Sequence, residues 1–198
     1  AQDFKPATNF FTSKCGIRNQ GGPRVSFNLE KSLTEMGITR EILKKHAMPL
    51  QKEPKDLVYA GLDIFQRPQK MTQQTFEAWN KMKSSAKTDG FEIHLVSAYR
   101  SIEYQCEIIK RKLAEGKLIE DILAINAIPG RSEHHTGRAL DLHTGEGKPL
   151  ELEFEDQPLF AWLCYNAARF NFYLSYPLNN SLGINYEPWH WCFSPLNE

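Results

Sequence analysis

From Thr72 onward, apolar residues recur at three- and four-residue steps, Phe76, Trp79, Met82 and Ala86, until Asp89-Gly90 ends the run. The spacing predicts an amphipathic helix capped by Thr72, with its aromatic stripe in the core. The segment Phe91 to Ser97 then alternates apolar and polar before a continuous apolar end, as a strand with one buried face does. His94 falls on the polar parity and is expected to be exposed. Ser101 caps a second helix that ends near Gly116, so Arg100 stands between a strand end and a helix start.

A further apolar-periodic stretch over 117–128 is closed by Pro129-Gly130. A polar cluster from Arg131 to Thr136 gives way to a short strand, Ala139 to His143, in which Ala139, Asp141 and His143 share one face. A helix is predicted from about Pro158 to Phe170. Two strands follow, Phe172 to Tyr176 and Ile184 to Phe193, joined by a turn at Asn179-Asn180 and Gly183.

Before Thr72 the pattern is weaker. Residues 1 to about 30 mix Gly, Pro, Asn and single aromatics without a period, with a turn signal at Gly21-Gly22-Pro23, and read as an irregular arm laid across the domain. Leu33, Met36, Ile38, Ile42 and Leu43 predict short helical turns interrupted at Gly37, and His46 is expected on the solvated surface. Leu57 to Ala60 reads as a short strand before a loop around Pro68. The expected fold is α+β: a small antiparallel sheet flanked by helices, with the reactive residues at the sheet and an irregular N-terminal extension. The expected division is 1–70, an extension packed on the domain, and 71–198, a catalytic core.

A chain of 198 residues can hold one domain with a real core and is short for two. Its 24 basic and 24 acidic residues balance, so no field draws it to nucleic acid or to an anionic membrane. No apolar run approaches the eighteen or so residues that a membrane helix needs. The chain begins at Ala1 without an initiator Met, which fits a mature exported protein and equally a trimmed chain. Cys15, Cys106, Cys164 and Cys192 permit three disulfide pairings or a set of buried free thiols, and the sequence leaves both open.

The chemistry concentrates in Ser132-Glu133-His134-His135-Thr136-Gly137-Arg138-Ala139-Leu140-Asp141 and in Glu187-Pro188-Trp189-His190. Two imidazoles and one carboxylate suit a catalytic zinc: three protein ligands leave a position for water, and a nearby carboxylate outside the ligand set can take its proton. Gly137 lets the backbone turn tightly between His134 and Asp141, and Ala139 leaves room beside an ion. Glu187 and His190 would fall on opposite faces of a regular strand, and Pro188 predicts a break that re-aims them.

The pattern Ser-x-His-x-x-Gly-x-Ala-x-Asp followed by Glu-Pro-Trp-His resembles the zinc D,D-carboxypeptidases of the vancomycin-resistance type and their L,D-carboxypeptidase relatives. Ser97-Ala98-Tyr99-Arg100-Ser101 is similar to that family's Ser-Gly-Tyr-Arg-Ser segment, with Ala98 replacing Gly. The resemblance covers roughly residues 72 to 193. It implies His134, Asp141 and His190 as zinc ligands, Glu187 as the general base, and Arg100 on an oxyanion or a substrate carboxylate. It also offers Ser132 and Gln105 as substrate contacts, against a loop-turning role for Ser132 and a place on the helix surface for Gln105. Trp189 is read as a candidate wall of the pocket, against a place in the core.

On this reading Glu133 points away from the site in an extended loop and is rejected as the base. His135 lies on the loop surface, and His143 is a candidate neighbour of the ligands. The implied cofactor is Zn2+ and the implied partner a peptidoglycan stem peptide, with no nucleic acid and no membrane span, acting as a monomer in the periplasm or at the cell wall. The expected reaction is hydrolysis of a C-terminal D-Ala. L,D-carboxypeptidase, peptidoglycan endopeptidase and a zinc-containing peptidoglycan-binding module without activity are the alternatives.

Overall fold

A computed structural model describes residues 27–195. Most of the expected arm, including Gly21-Gly22-Pro23, and Cys15 lie outside these residues. Two short helices, α1 (Leu29–Glu35) and α2 (Arg40–Lys45), flank Gly37, whose φ of +74° makes the turn. A hairpin of β1 (Val58–Leu62) and β2 (Pro68–Met71) precedes α3 (Gln73–Thr88), β3 (His94–Ser97), α4 (Ile102–Ala114) and α5 (Ile119–Ala124). Then come β4 (Ala139–His143), α6 (Pro158–Asn166), β5 (Phe172–Leu174) and β6 (His190–Phe193). The result is the expected α+β arrangement: a four-stranded sheet in the order β3-β4-β6-β5, antiparallel at each pairing, with helices packed on it.

The helix starts follow their caps. Thr72 Oγ1 accepts from the Thr75 N–H at 3.3 Å and Ser101 Oγ from the Tyr104 N–H at 3.1 Å, each satisfying a donor the first turn leaves orphaned. The α3 stripe Trp79, Met82 and Ala86 packs with Leu95, Leu140, Leu142, Leu163 and Trp191 in the main core. A second cluster joins Met36 and Ile38, which bracket Gly37, to Cys106 and Ile109 of α4 and to Ile122 and Leu123 of α5. No helix among the described residues is long and apolar enough to cross a membrane.

Three local expectations are corrected. The segment around Pro68 is a strand, not a loop: Pro68 begins β2, a place where a ladder loses nothing to the missing N–H. The strand expected over Ile184 to Phe193 is confined to His190–Phe193, because Ile184 is drawn into a separate cluster with Met48, Ala127 and Tyr176. His46 is buried, not solvated: the Gly183 loop packs on it so closely that a Cβ at Gly183 would stand 2.9 Å from its Nδ1.

Candidate metal centre

The site is built on the register of three neighbouring strands. Ser97 of β3 lies opposite Asp141 of β4, and Asp141 lies opposite His190 of β6. Alternation along β4 sends Leu140 and Leu142 into the main core and Asp141 to the other face. His134 arrives from a single 3-10 turn, Glu133–Thr136, that Ser132 caps through its Oγ. Gly137 ends that turn at φ +65°. There a Cβ would stand 2.8 Å from Leu57 Cδ2 and 3.3 Å from the Thr72 nitrogen. Gly137→Ala should therefore cost about 1–3 kcal/mol in backbone strain before any clash, read as a lowered Tm.

The ligand atoms converge. Asp141 Oδ2 is 3.2 Å from His134 Nε2, Asp141 Oδ1 is 3.0 Å from His190 Nδ1, and the three residues offer atoms all within 4.8 Å of one another. His134 and His190 meet edge to face at 4.9 Å, and Tyr176 stacks on His190 at 4.5 Å with 22° between the rings. All three candidate ligands are buried. Burial opposes the charge on Asp141, yet the adjacent His134 and His190 outweigh it and hold the carboxyl well below the usual range.

The neighbours of each imidazole decide which nitrogen can bind. A carbonyl only accepts, so the 2.6 Å contact between His134 Nδ1 and the Ala98 oxygen puts the proton on Nδ1 and frees Nε2. His190 Nε2 lies 3.0 Å from Glu133 Oε2, which keeps the proton there and turns Nδ1 toward Asp141. Burial lowers the basicity of His190, but its hydrogen bonds to Asp141 and Glu133 prevail and lift it to about 10. Both rings are thus oriented by an acceptor on the far nitrogen, a recurrent feature of metal-binding histidines.

Glu133 is accordingly corrected. It does not point away in an extended loop, because the 3-10 turn rotates it onto His190. His135 is corrected as well: it is fully buried, donates from Nδ1 to the Arg100 carbonyl at 2.7 Å and accepts from the Gly130 N–H at Nε2 at 3.1 Å. Burial pushes it down to about 4, so it is a neutral strut between two loops. His143 accepts the Gly145 N–H at Nδ1, at 2.9 Å, and is not part of the ligand cluster.

Pro188 does coincide with a break. The His190 N–H bonds to the Glu187 oxygen at 3.1 Å in a turn, and Glu187 Oε2 comes to 3.8 Å from His190 Nδ1. Burial, followed by the charges of Asp141 and Glu133 against those of His190 and Arg100, pushes Glu187 up to about 7. Arg100 donates from Nη1 to Gln105 Oε1 at 2.8 Å and holds Nη2 at 3.9 Å from Asp141 Oδ2. Gln105 is fully buried and braces Arg100, donating in turn to the Ala127 carbonyl at 2.8 Å.

Ser132, Arg100, Trp189 and Glu187 all line a cavity of about 850 Å³ that includes the three ligands. Trp191 instead packs in the core. Among the described residues Cys106, Cys164 and Cys192 are unbridged, and burial, then the charge of Glu133, keeps the Cys192 thiol protonated. Sequence reasoning missed Tyr176, which it read only as strand, and the pairing of Glu133 with His190. No local pattern marks Tyr176, but a carboxylate next to a ligand histidine was itself a signal.

A profile of the VanY family, described as D-alanyl-D-alanine carboxypeptidase, matches residues 68–196. YodJ of Bacillus subtilis, named as a carboxypeptidase, is 32% identical over 157 residues, 74% of this chain and 56% of YodJ. The bifunctional D-Ala-D-Ala dipeptidase and carboxypeptidase VanXYC of Enterococcus gallinarum is 30% identical over 175 residues, 81% of this chain and 85% of that protein. The solved structure of the LdcB LD-carboxypeptidase superposes with a TM-score of 0.64 at 30% identity, covering 73% of this chain and 71% of that one. The chain thus spans little more than half the length of YodJ. Because the matched segment runs from β2 to beyond β6 and carries the whole buried His-Asp-His cluster together with Arg100 and Glu187, the chain belongs to the VanY family.

Proposed function

We propose that this chain is a zinc-dependent carboxypeptidase that removes C-terminal D-Ala from peptidoglycan stem peptides. The observation that carries this reading is the buried cluster of His134, Asp141 and His190 with the near-neutral Glu187 beside it. One ligand atom from each of the three residues lies within 4.8 Å of the other two, and two imidazoles with one carboxylate are a donor set that a catalytic zinc takes. The Ala98 carbonyl and Glu133 hold the far nitrogens of His134 and His190, so His134 Nε2 and His190 Nδ1 are the nitrogens that would bind zinc, with the Nδ1 proton of the metal-free His190 released as the ion enters. When bound, zinc lowers the pKa of water toward about 7 and polarises a carbonyl oxygen.

The protein groups supply the rest. Glu187 takes the proton of the attacking water and returns it to the departing amine. Arg100, held by Gln105, turns its remaining N–H groups to the developing oxyanion or to the terminal carboxylate. Ser132 and Trp189 contact the peptide along the cavity wall. Acceptor atoms on the far nitrogens of His134 and His190 keep both rings aimed.

We take residues 71–198 as the catalytic core, with the described residues before it, 27–70, packed on it. The contact of Met36 and Ile38 with α4 and α5 supports that division. The substrate places the action outside the cytoplasmic membrane, in the periplasm or at the wall, and the working form is a monomer. A second reading, L,D-carboxypeptidase action on tetrapeptide stems, is favoured by the likeness to LdcB.

Mass spectrometry of defined penta- and tetrapeptide stems, with zinc-loaded protein and a chelator control, tests both. Loss of D-Ala from the pentapeptide supports the first reading and loss from the tetrapeptide alone the second. Intact zinc binding with no cleavage of any stem sinks both. Glu133→Ala should weaken zinc by about 10–100-fold, read by competition with a chromogenic chelator, because His190 loses the acceptor that fixes its tautomer.

A further inference from the structure

Helix α4 presents Tyr104, Ile108, Arg111 and Lys112 to the same cavity that holds the His-Asp-His cluster, so one helical face runs away from the reaction centre as a cavity wall. Its far end is basic. Lys112 Nζ has one hydrogen-bond partner among the described residues, the neutral Asn126 Oδ1 at 3.1 Å, and no described carboxylate lies within salt-bridge distance of Lys112 or Arg111. Glu115, the acid nearest in sequence, is paired with Lys117 at 3.2 Å. The facing Glu151 lines the cavity without bonding either cation. Burial, together with the like charges of Lys117, Arg100 and Arg111, works against the ammonium of Lys112, so a cation is kept where it is disfavoured.

We propose that Lys112, assisted by Arg111, binds a free side-chain carboxylate of the substrate peptide, making this an enzyme for acidic stems. This rests on the peptidase reading above and adds the substrate class. The spacing fixes the position. Gln105, which braces Arg100, and Lys112 are seven residues apart on α4, about 10 Å along the axis. An extended peptide covers that distance in about three residues. With the C-terminal residue at Arg100, the recognised carboxylate belongs two or three residues before the C-terminus. The cavity of about 850 Å³ is large enough for such a peptide and far larger than a single alanine needs.

The test compares kcat/KM of the zinc-loaded enzyme for N-acetylated peptides ending in D-Ala, with Glu or its amide Gln two or three residues before the end. The Glu peptide should be preferred about tenfold, as a charge-assisted hydrogen bond to a half-exposed ammonium provides. Lys112→Ala should bring that ratio toward one, mainly through KM, and Lys112→Arg should restore part of it. Added salt should shrink the ratio for the wild type. Equal rates on Glu and Gln peptides, or a preference that survives Lys112→Ala, overturn the acidic subsite while leaving the peptidase reading standing. Absence of cleavage of every peptide by zinc-bound wild type overturns the peptidase reading and this inference with it.

Discussion

Glu187→Gln should lower kcat by about 10²–10⁴ while zinc stoichiometry and affinity stay close to wild type, measured by peptide turnover beside a chelator titration. Gln is nearly isosteric, so the turn that joins the Glu187 oxygen to the His190 N–H persists. What disappears is the group that can hold a proton. Glu187 suits that task because burial pushes it up to about 7, where a carboxylate has a real affinity for the water's proton. Base catalysis needs the unprotonated form, so the rate rises with pH through the Glu187 pKa, and a bound dication draws that limb lower. The rival carboxylate, Glu133, is committed to His190 Nε2 at 3.0 Å. The two variants should therefore fail differently: Glu187→Gln in turnover with metal retained, Glu133→Ala in metal affinity.

That contrast also marks where the sequence was readable. The helices announced themselves because period and cap agree: Thr72 and Ser101 each accept the bond their position predicts. The approach of His134 to Asp141 was legible because its determinants are local, a tight glycine turn and the two-residue alternation of β4. His190, 49 positions from Asp141, was instead joined to them by the family resemblance of the separated motifs. Glu133 and His135 were misplaced because a polar run without period says nothing about how a 3-10 turn rotates its side chains. One was swung onto His190 and the other into a buried gap between the Arg100 and Gly130 backbones. The short β6 had a similar cause. Ile184 looks like strand in isolation, but Met48, 136 positions earlier, offers it a different apolar contact. Such long-range competition leaves no trace in a local window.

Chelation should lower the Tm of the protein by roughly 10 °C, and Asp141→Asn should abolish that difference. Zinc that binds the folded chain at a concentration about 1,000 times its Kd adds about 4 kcal/mol of stability. In a domain of this size each kcal/mol moves Tm by about 2–4 °C. Asp141 is the residue on which this depends, since its two oxygens reach His190 at 3.0 Å and His134 at 3.2 Å, with Arg100 at 3.9 Å. Asn keeps the shape and the strand register opposite Ser97 and His190, but it loses the charge that a dication requires. Removing a mere orienting neighbour of a metal ligand costs about 10–100-fold in affinity, and removing the central ligand should cost more. Zinc and chelator melts should then coincide in Asp141→Asn. A difference of several degrees surviving in that variant would show that the stabilising metal is held by other residues.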